Sequence, residues 1–231
     1  MTSLVIFDFD GTLFDTHGSI EHSIKLTFAD LLPSHVPPQS EIHRLISSGA
    51  GLSDTFRALH PDAAAFTASE TKWIDKYREL YAVHGQLLIK AFPGAKSLLE
   101  ELKAHHIPTA IISNKGVTAV QTALDRNGLG ECVPEDLIIG DKTPGALRKP
   151  DPSSFAHVLV PALKARGITD VRPGQVLVVG DTVADIQFAK NIEGRACWCR
   201  YGYGDREACE AMKPDFVVDS LDQVVAIVKD N

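Results

Sequence analysis

Residues 4–15 read LVIFDFDGTLFD, and they decide how the rest of the chain is organised. Leu4 to Phe7 form an apolar run rich in β-branched and aromatic side chains, the pattern of a buried strand. Asp8 and Asp10 stand at its end, and the two-residue period of a strand puts them on one side. Neighbouring carboxylates repel each other and lose hydration when buried. A core strand that ends this way needs a compensating charge and a use for it.

Beyond this stretch, strands and helices alternate, which predicts a parallel sheet covered on both faces. The exception is residues 15–91, which read as almost wholly helical. Segments 19–32 and 69–88 are the clearest helices, with breaks at PSHVPP and SSGAGLSD. Alternation resumes at Phe92-Pro93-Gly94. A helix follows to about residue 106, then strand 107–113, a helix over 116–127, and strand 136–140. After a turn-rich loop come a helix over 153–166, strand 175–180 and a helix in VADIQFAKNI. RACWC and DFVV close the sheet, and a last helix covers 221–229. The predicted fold class is therefore α/β: a Rossmann-like parallel sheet core, residues 1–14 and 92–231, carrying an inserted all-helical domain, residues 15–91.

In open parallel sheets, ligands bind beyond the carboxyl ends of the strands. The polar residues expected there form a short set: Asp8, Asp10, Gly11 and Thr12; Ser113 and Asn114; Lys149; Asp181 and Asp185. A phosphate ester would give each one work. A strand-end carboxylate can attack phosphorus, and a second carboxylate two residues on can protonate the leaving oxygen and later deprotonate water. Gly11 and Thr12 turn backbone N–H groups toward an anion. Ser113 and Asn114 offer donors, and Lys149 a compact positive charge. Clustered aspartates repel an anion unless a hard cation sits among them. Mg²⁺ suits that place, because it accepts a few carboxylates and bridges to phosphate. Asp181 and Asp185 lie four apart, so they share a helix face. That spacing suits one direct ligand and one that orients a metal-bound water. Taken singly, Asp181, Ser113 or Lys149 would pass for a cap or a loop residue. Asp8 and Asp10 would not.

Composition sets the boundaries. The chain has 231 residues, 44% hydrophobic and 23% charged, enough for a real core. Its net charge of −7 offers no basic stripe for nucleic acid. No apolar span approaches the ~20 residues that cross a bilayer, and no signal-peptide pattern opens the chain. Its four cysteines fit a reducing cytoplasm, and no Cys/His partner pair completes a zinc pattern around Cys197 and Cys199. The expected partner is a small phosphorylated metabolite, with the chain a monomer or homodimer.

These motifs resemble the haloacid dehalogenase superfamily on its phosphatase side. DFDGTLFD is similar to its first motif, IISN to its second, RKPDP to its third and GDTVAD to its fourth. The resemblance implies Mg²⁺ and an aspartyl-phosphate intermediate. Asp8 would be nucleophile and metal ligand. Asp10 would be the general acid/base and lend its backbone carbonyl to the metal. Asp181 would ligate the ion with Asp185 in or near its shell, while Ser113 and Lys149 would hold the phosphoryl group, Lys149 also steadying Asp8. FPGAKSLLEELK, KPDPSSF and RYGYG resemble the phosphoglycolate phosphatases, with the helical insert as a cap. Within the insert, His17, Arg44 and Gly49 are the expected substrate-selecting residues. Three other activities use this fold. A dehalogenase has no use for Asp10. A phosphonate hydrolase would need a cap lysine such as Lys25 or Lys72. A sugar-phosphate mutase would keep every motif residue. A non-catalytic phosphate-binding protein is a fourth alternative, and it would have lost some of them.

Overall fold

The computed structural model describes residues 2–230. They form two compact units, one running to Asp15 and resuming at Lys90, the other spanning Thr16–Ile89. The first is built on a six-stranded sheet. Its strands are β1 (Leu4–Phe7), β4 (Thr109–Gly116), β5 (Ile138–Asp141), β6 (Val176–Gly180), β7 (Arg195–Cys199) and β8 (Phe216–Val218). The order is β5-β4-β1-β6-β7-β8, and every pairing is parallel. The connecting helices are α5 (Ala95–Ala104), α6 (Val117–Arg126), α7 (Val160–Ala165), α8 (Val183–Asn191), α9 (Arg206–Ala211) and α10 (Asp222–Asp230).

All residues of β1 and β6 are buried, so the central strands are covered on both faces and must be apolar throughout. The chain leaves β1 toward β4 and β5, then returns to β6 on the other flank. That reversal makes the carboxyl end of β1 the switch point of the sheet. Register brings the neighbouring strand ends to the same level, with Phe7 opposite both Ile111 and Val179.

Four local features differ from the sequence expectation. Phe14–Asp15 (β2) and Lys90–Ala91 (β3) pair antiparallel, so the junctions are a two-stranded ribbon rather than plain joints. The pattern is too short to read as strands in either segment. Strand β4 runs on to Gly116. Between Ile112 and Gly116 its register against β5 shifts, four residues advancing where the partner advances two. The extra residues form a bulge at Ser113–Lys115, and bulges re-aim side chains. The helix after Ser153 opens with a π-helical turn, Ser154–Leu159, before α7. Finally, α9 is a six-residue helix with no long apolar stripe to announce it. Its N-terminus is capped by Asp205, which accepts from the Ala208 N–H.

The second unit comprises α1 (His17–Leu31), α2 (Gln39–Ser47), α3 (Leu52–Leu59) and α4 (Ala63–Val83), closed by a 3₁₀ turn at Gly85–Leu88. Its core is aromatic. Phe28 and Phe56 lie 4.8 and 5.6 Å from Trp73, and Tyr77 meets Phe56 edge-on at 5.6 Å. Asp62 starts α4 by accepting the N–H groups of Ala64 and Ala65, a strong N-cap. The kink at Ser69 interrupts α4, and the Ser69 hydroxyl donates back to the Ala65 carbonyl. No helix among the described residues is long and apolar enough to cross a membrane.

Candidate active site

Three carboxylates converge at the switch point. Asp8, Asp181 and Asp185 are all buried, and one oxygen from each lies within 4.8 Å of the others. Among the described residues, a single ammonium compensates two of them. Lys149, itself buried, places Nζ 2.7 Å from Asp8 Oδ1 and 2.6 Å from Asp185 Oδ1. Its backbone is fixed by a reciprocal pair with Asn114: the Lys149 N–H donates to Oδ1 at 2.9 Å, and Nδ2 donates to the Lys149 carbonyl at 3.4 Å. Asn114 therefore anchors the loop that presents Lys149.

Asp185 has both oxygens engaged. Oδ1 takes Lys149, and Oδ2 accepts from the Thr182 N–H at 2.9 Å and its hydroxyl at 2.7 Å. The capping box that starts α8 thus also aims a charged group into the site. Asp181 is held by neutral donors alone, the Thr12 hydroxyl at 3.2 Å and the Tyr203 N–H at 2.7 Å. Its surroundings admit no larger residue at two glycines. A Cβ on Gly11, whose φ is +75°, would stand 2.3 Å from Asp181 Oδ2, and one on Gly202 would stand 2.3 Å from Asp181 Cβ. The RYGYG stretch therefore has a local reason: its first glycine makes room for Asp181, and the following tyrosine N–H binds it. Tyr201 and Tyr203 brace the same wall, donating to the Thr12 carbonyl and to Asp15, each at 2.7 Å.

Asp10 takes a different lysine. Its carboxylate accepts from Lys115 Nζ at 3.0 Å, a residue that the β4 bulge carries round and that sequence reading gave no role. The available signal was a lysine directly after the Ser113-Asn114 pair, ambiguous because exposed loop lysines are common. Ser113 is buried, and its hydroxyl accepts from the Lys115 N–H at 3.2 Å.

Burial dominates the electrostatics. It pushes Asp8 up to about 7, with Asp185 and Asp10 adding to the rise and Lys149 opposing it. Asp181 is raised well above the carboxylate range by burial first, then by Asp185 and Asp8. Burial works against the Lys149 ammonium, but Asp185 and Asp8 outweigh it and raise the group above an ordinary lysine. Three buried carboxylates, two of them on one lysine and the third on neutral donors, lack positive charge, and the atoms they offer a cation are all hard oxygens. That combination fits Mg²⁺.

The shortage has a consequence for stability. Asp8, raised to about 7 mainly by burial, keeps in the folded state a proton that the unfolded chain releases near pH 4, and Asp181 is raised in the same direction. Without metal, stability should therefore fall as pH rises from about 4 to about 7. Asp181→Asn can keep both partners, its oxygen accepting from the Tyr203 N–H and its NH₂ donating to the Thr12 hydroxyl, and it removes an ionisable group that has only neutral donors around it. In chelator at pH 8 we expect a higher Tm than the unchanged protein, together with loss of the Tm gain on adding Mg²⁺. Thermal melts with and without EDTA check both. A less stable variant in chelator would show that Asp181 is not under charge strain.

In the helical unit, Arg44 pairs with exposed Glu41 at 2.9 Å, and Gly49 turns the chain after α2 at φ +64°. His17 lies against His43 and Glu21.

The family model described as haloacid dehalogenase-like hydrolase matches residues 5–199. Pyrophosphatase PpaX of Listeria monocytogenes serotype 4b is 26% identical, covering 98% of this chain and 96% of its own. The phosphoglycolate phosphatase of Vibrio parahaemolyticus is 28% identical, covering 97% and 95%. A haloacid dehalogenase-like hydrolase from Streptococcus pneumoniae has the same fold, with a TM-score of 0.79 at 23% identity and 98% of each chain covered. The chain belongs to the haloacid dehalogenase-like hydrolase family.

Proposed function

We propose that this protein hydrolyses a small phosphomonoester in two steps through a phosphorylated Asp8. The observation that carries the reading is the pairing of two carboxylates with two different lysines, Asp8 with Lys149 and Asp10 with Lys115. Residues two apart at one strand end thus have different surroundings, which supports separate tasks for them. Asp8 attacks phosphorus as the ester P–O bond breaks, and Asp10 gives its proton to the departing oxygen. Water then attacks the phosphoryl-aspartate, Asp10 takes a proton from it, and inorganic phosphate leaves.

Lys149 steadies Asp8 and neutralises a phosphoryl oxygen. The Ser113 hydroxyl provides a further donor to the phosphoryl group, whereas the N–H groups of Gly11, Thr12 and Leu13, expected from the sequence to face an anion, donate to the Phe14 and Phe9 carbonyls within the turn. Mg²⁺ would be held by Asp8, Asp181 and the Asp10 backbone carbonyl, with Asp185 beside them. When bound, it supplies the positive charge that lets an anion approach these carboxylates. The chemistry sits in the α/β unit, and the reading assigns substrate choice to the helical unit, with Arg44 and the Gly49 turn. Free thiols at Cys132, Cys197, Cys199 and Cys209 support a reducing, cytoplasmic setting.

Its relatives differ in substrate, so 2-phosphoglycolate is the first of several small phosphates to test. A panel of phosphorylated metabolites, scored by kcat/KM, checks the proposal. We expect activity that EDTA stops and Mg²⁺ restores; metal-independent turnover, or none on any phosphomonoester, would overturn it. Asp10→Asn should retain Mg²⁺ binding and lose about 10²–10⁴-fold in kcat. Phosphoenzyme trapping by rapid quench would show whether the first step, the second or both are slowed.

A further inference from the structure

The helical unit contains a second group of ligating side chains, of different chemistry from the carboxylates of the α/β unit. We propose that His17, Glu21 and His43 form a binding site for a borderline divalent transition ion, with Zn²⁺ as the type. This inference is independent of the proposed reaction.

His17 opens α1, and Glu21 lies one turn on, so both project from the same face. His43 comes from α2. One ligand atom from each residue lies within 4.8 Å of the others. His43 Nε2 is 2.8 Å from Glu21 Oε2, and His17 Nδ1 is 4.0 Å from the same oxygen. The imidazole rings meet edge-on with centroids 4.5 Å apart. Tetrahedral zinc, with bonds of about 2.0–2.2 Å, sets its ligand atoms roughly 3.3 Å apart. The two separations from Glu21 bracket that value, and all three ligand atoms lie within 4.8 Å, so modest side-chain rotations would seat the ion.

The carboxylate is already oriented for this. Its other oxygen, Oε1, accepts from Lys25 Nζ at 2.5 Å and from Gln39 Nε2 at 2.8 Å. Those bonds leave Oε2 facing the two rings, as outer partners of metal ligands commonly do. Lys25 carries a like charge to the ion, and it lies on the far oxygen, 43% exposed, where solvent screens it. His17 and His43 are 26% and 42% exposed. The site is thus open to entry from solvent, and a water can take the fourth position.

Two imidazoles with one carboxylate select a borderline ion, whereas the three aspartates select a hard one. The two sites therefore sort cations by softness and can be filled separately. An ion on His17, Glu21 and His43 would clamp α1 to α2 within the helical unit. His17 then acts as a ligand rather than as the substrate contact read from the sequence.

The test is isothermal titration of the full chain with Zn²⁺ in excess Mg²⁺, alongside thermal melts. We expect a single equivalent bound, a raised Tm, and retention of both in Asp181→Asn. His17→Gln and His43→Gln should each weaken Zn²⁺ by at least about 100-fold, since losing outer partners already costs about 10–100-fold. On the unaltered protein, histidine ¹H–¹⁵N spectra should show the ring resonances of these two residues moving first. No binding in excess Mg²⁺ would overturn the proposal. So would binding that survives the double His17→Gln/His43→Gln change, or ring resonances that stay still.

Discussion

Asp8→Asn is expected to abolish hydrolysis of p-nitrophenyl phosphate, lowering kcat by more than about 10⁴-fold, the scale on which nucleophile removal acts in other covalent catalysts. The amide has the size of the carboxylate and no charge with which to attack phosphorus. The fold should survive, because Lys149 retains Asp185 at 2.6 Å and burial already disfavours the Asp8 charge. A melt matching or exceeding that of the unchanged protein in chelator would separate lost chemistry from lost structure. Activity above a tenth of normal in a folded Asp8→Asn protein would remove Asp8 from the role of nucleophile.

Lys149→Ala is expected to damage both stability and activity. The ammonium is buried between two buried carboxylates. Removing one member of such a group leaves uncompensated charge, at a cost of about 3–5 kcal/mol. For a chain of this length that corresponds to a Tm lowered by roughly 6–20 °C. The pH dependence has a definite sign. Across pH 5–8 the lysine itself stays charged, since its folded pKa lies above the ordinary value. The titrating groups are the carboxylates, and losing Lys149 raises Asp8 further above its value of about 7. At pH 5 the carboxylates take up protons and relieve the strain, and at pH 8 they can do so only partly. The gap in Tm between Lys149→Ala and the unchanged protein in EDTA should therefore widen from pH 5 to pH 8. A gap constant across that range would mean that Lys149 acts by packing and not by charge. Activity should fall with it, because the same ammonium is assigned to the phosphoryl group.

These two residues illustrate how much was legible beforehand. Asp8 could be read directly: an apolar run that ends in a carboxylate is uncommon enough to demand a use. For Lys149 the spacing offers only one lysine in the turn-rich stretch DKTPGALRKP, and its place beside Asp8 was implied by the family resemblance rather than by any pattern in the loop. The structure takes it inward through the Asn114 pair, a contact between residues 35 positions apart. Lys115 was passed over for the related reason that its direction depends on the β4 bulge, which exists only where β4 is paired with β5. The ribbon of β2 and β3 was invisible because two-residue strands have no period to detect. The His17–Glu21–His43 group was half visible. The i, i+4 pair lies in one helix, but His43 joins it only through the packing of α2.

What the sequence by itself determined was therefore local and periodic. It gave the alternation of elements, the insertion of a helical block after the first strand, and the carboxylates at the strand ends. Each follows from side-chain spacing against the 2.0 and 3.6 repeats of the backbone. What only the tertiary structure decided was partnership. Strand spacing alone treats Asp8 and Asp10 alike, yet Asp8 is bound to Lys149, as the family resemblance implied, and Asp10 to Lys115, for which the sequence held only an ambiguous signal. The physical reason is that electrostatic coupling depends on distances of a few ångströms, and those distances arise only when strands distant in sequence are set in register.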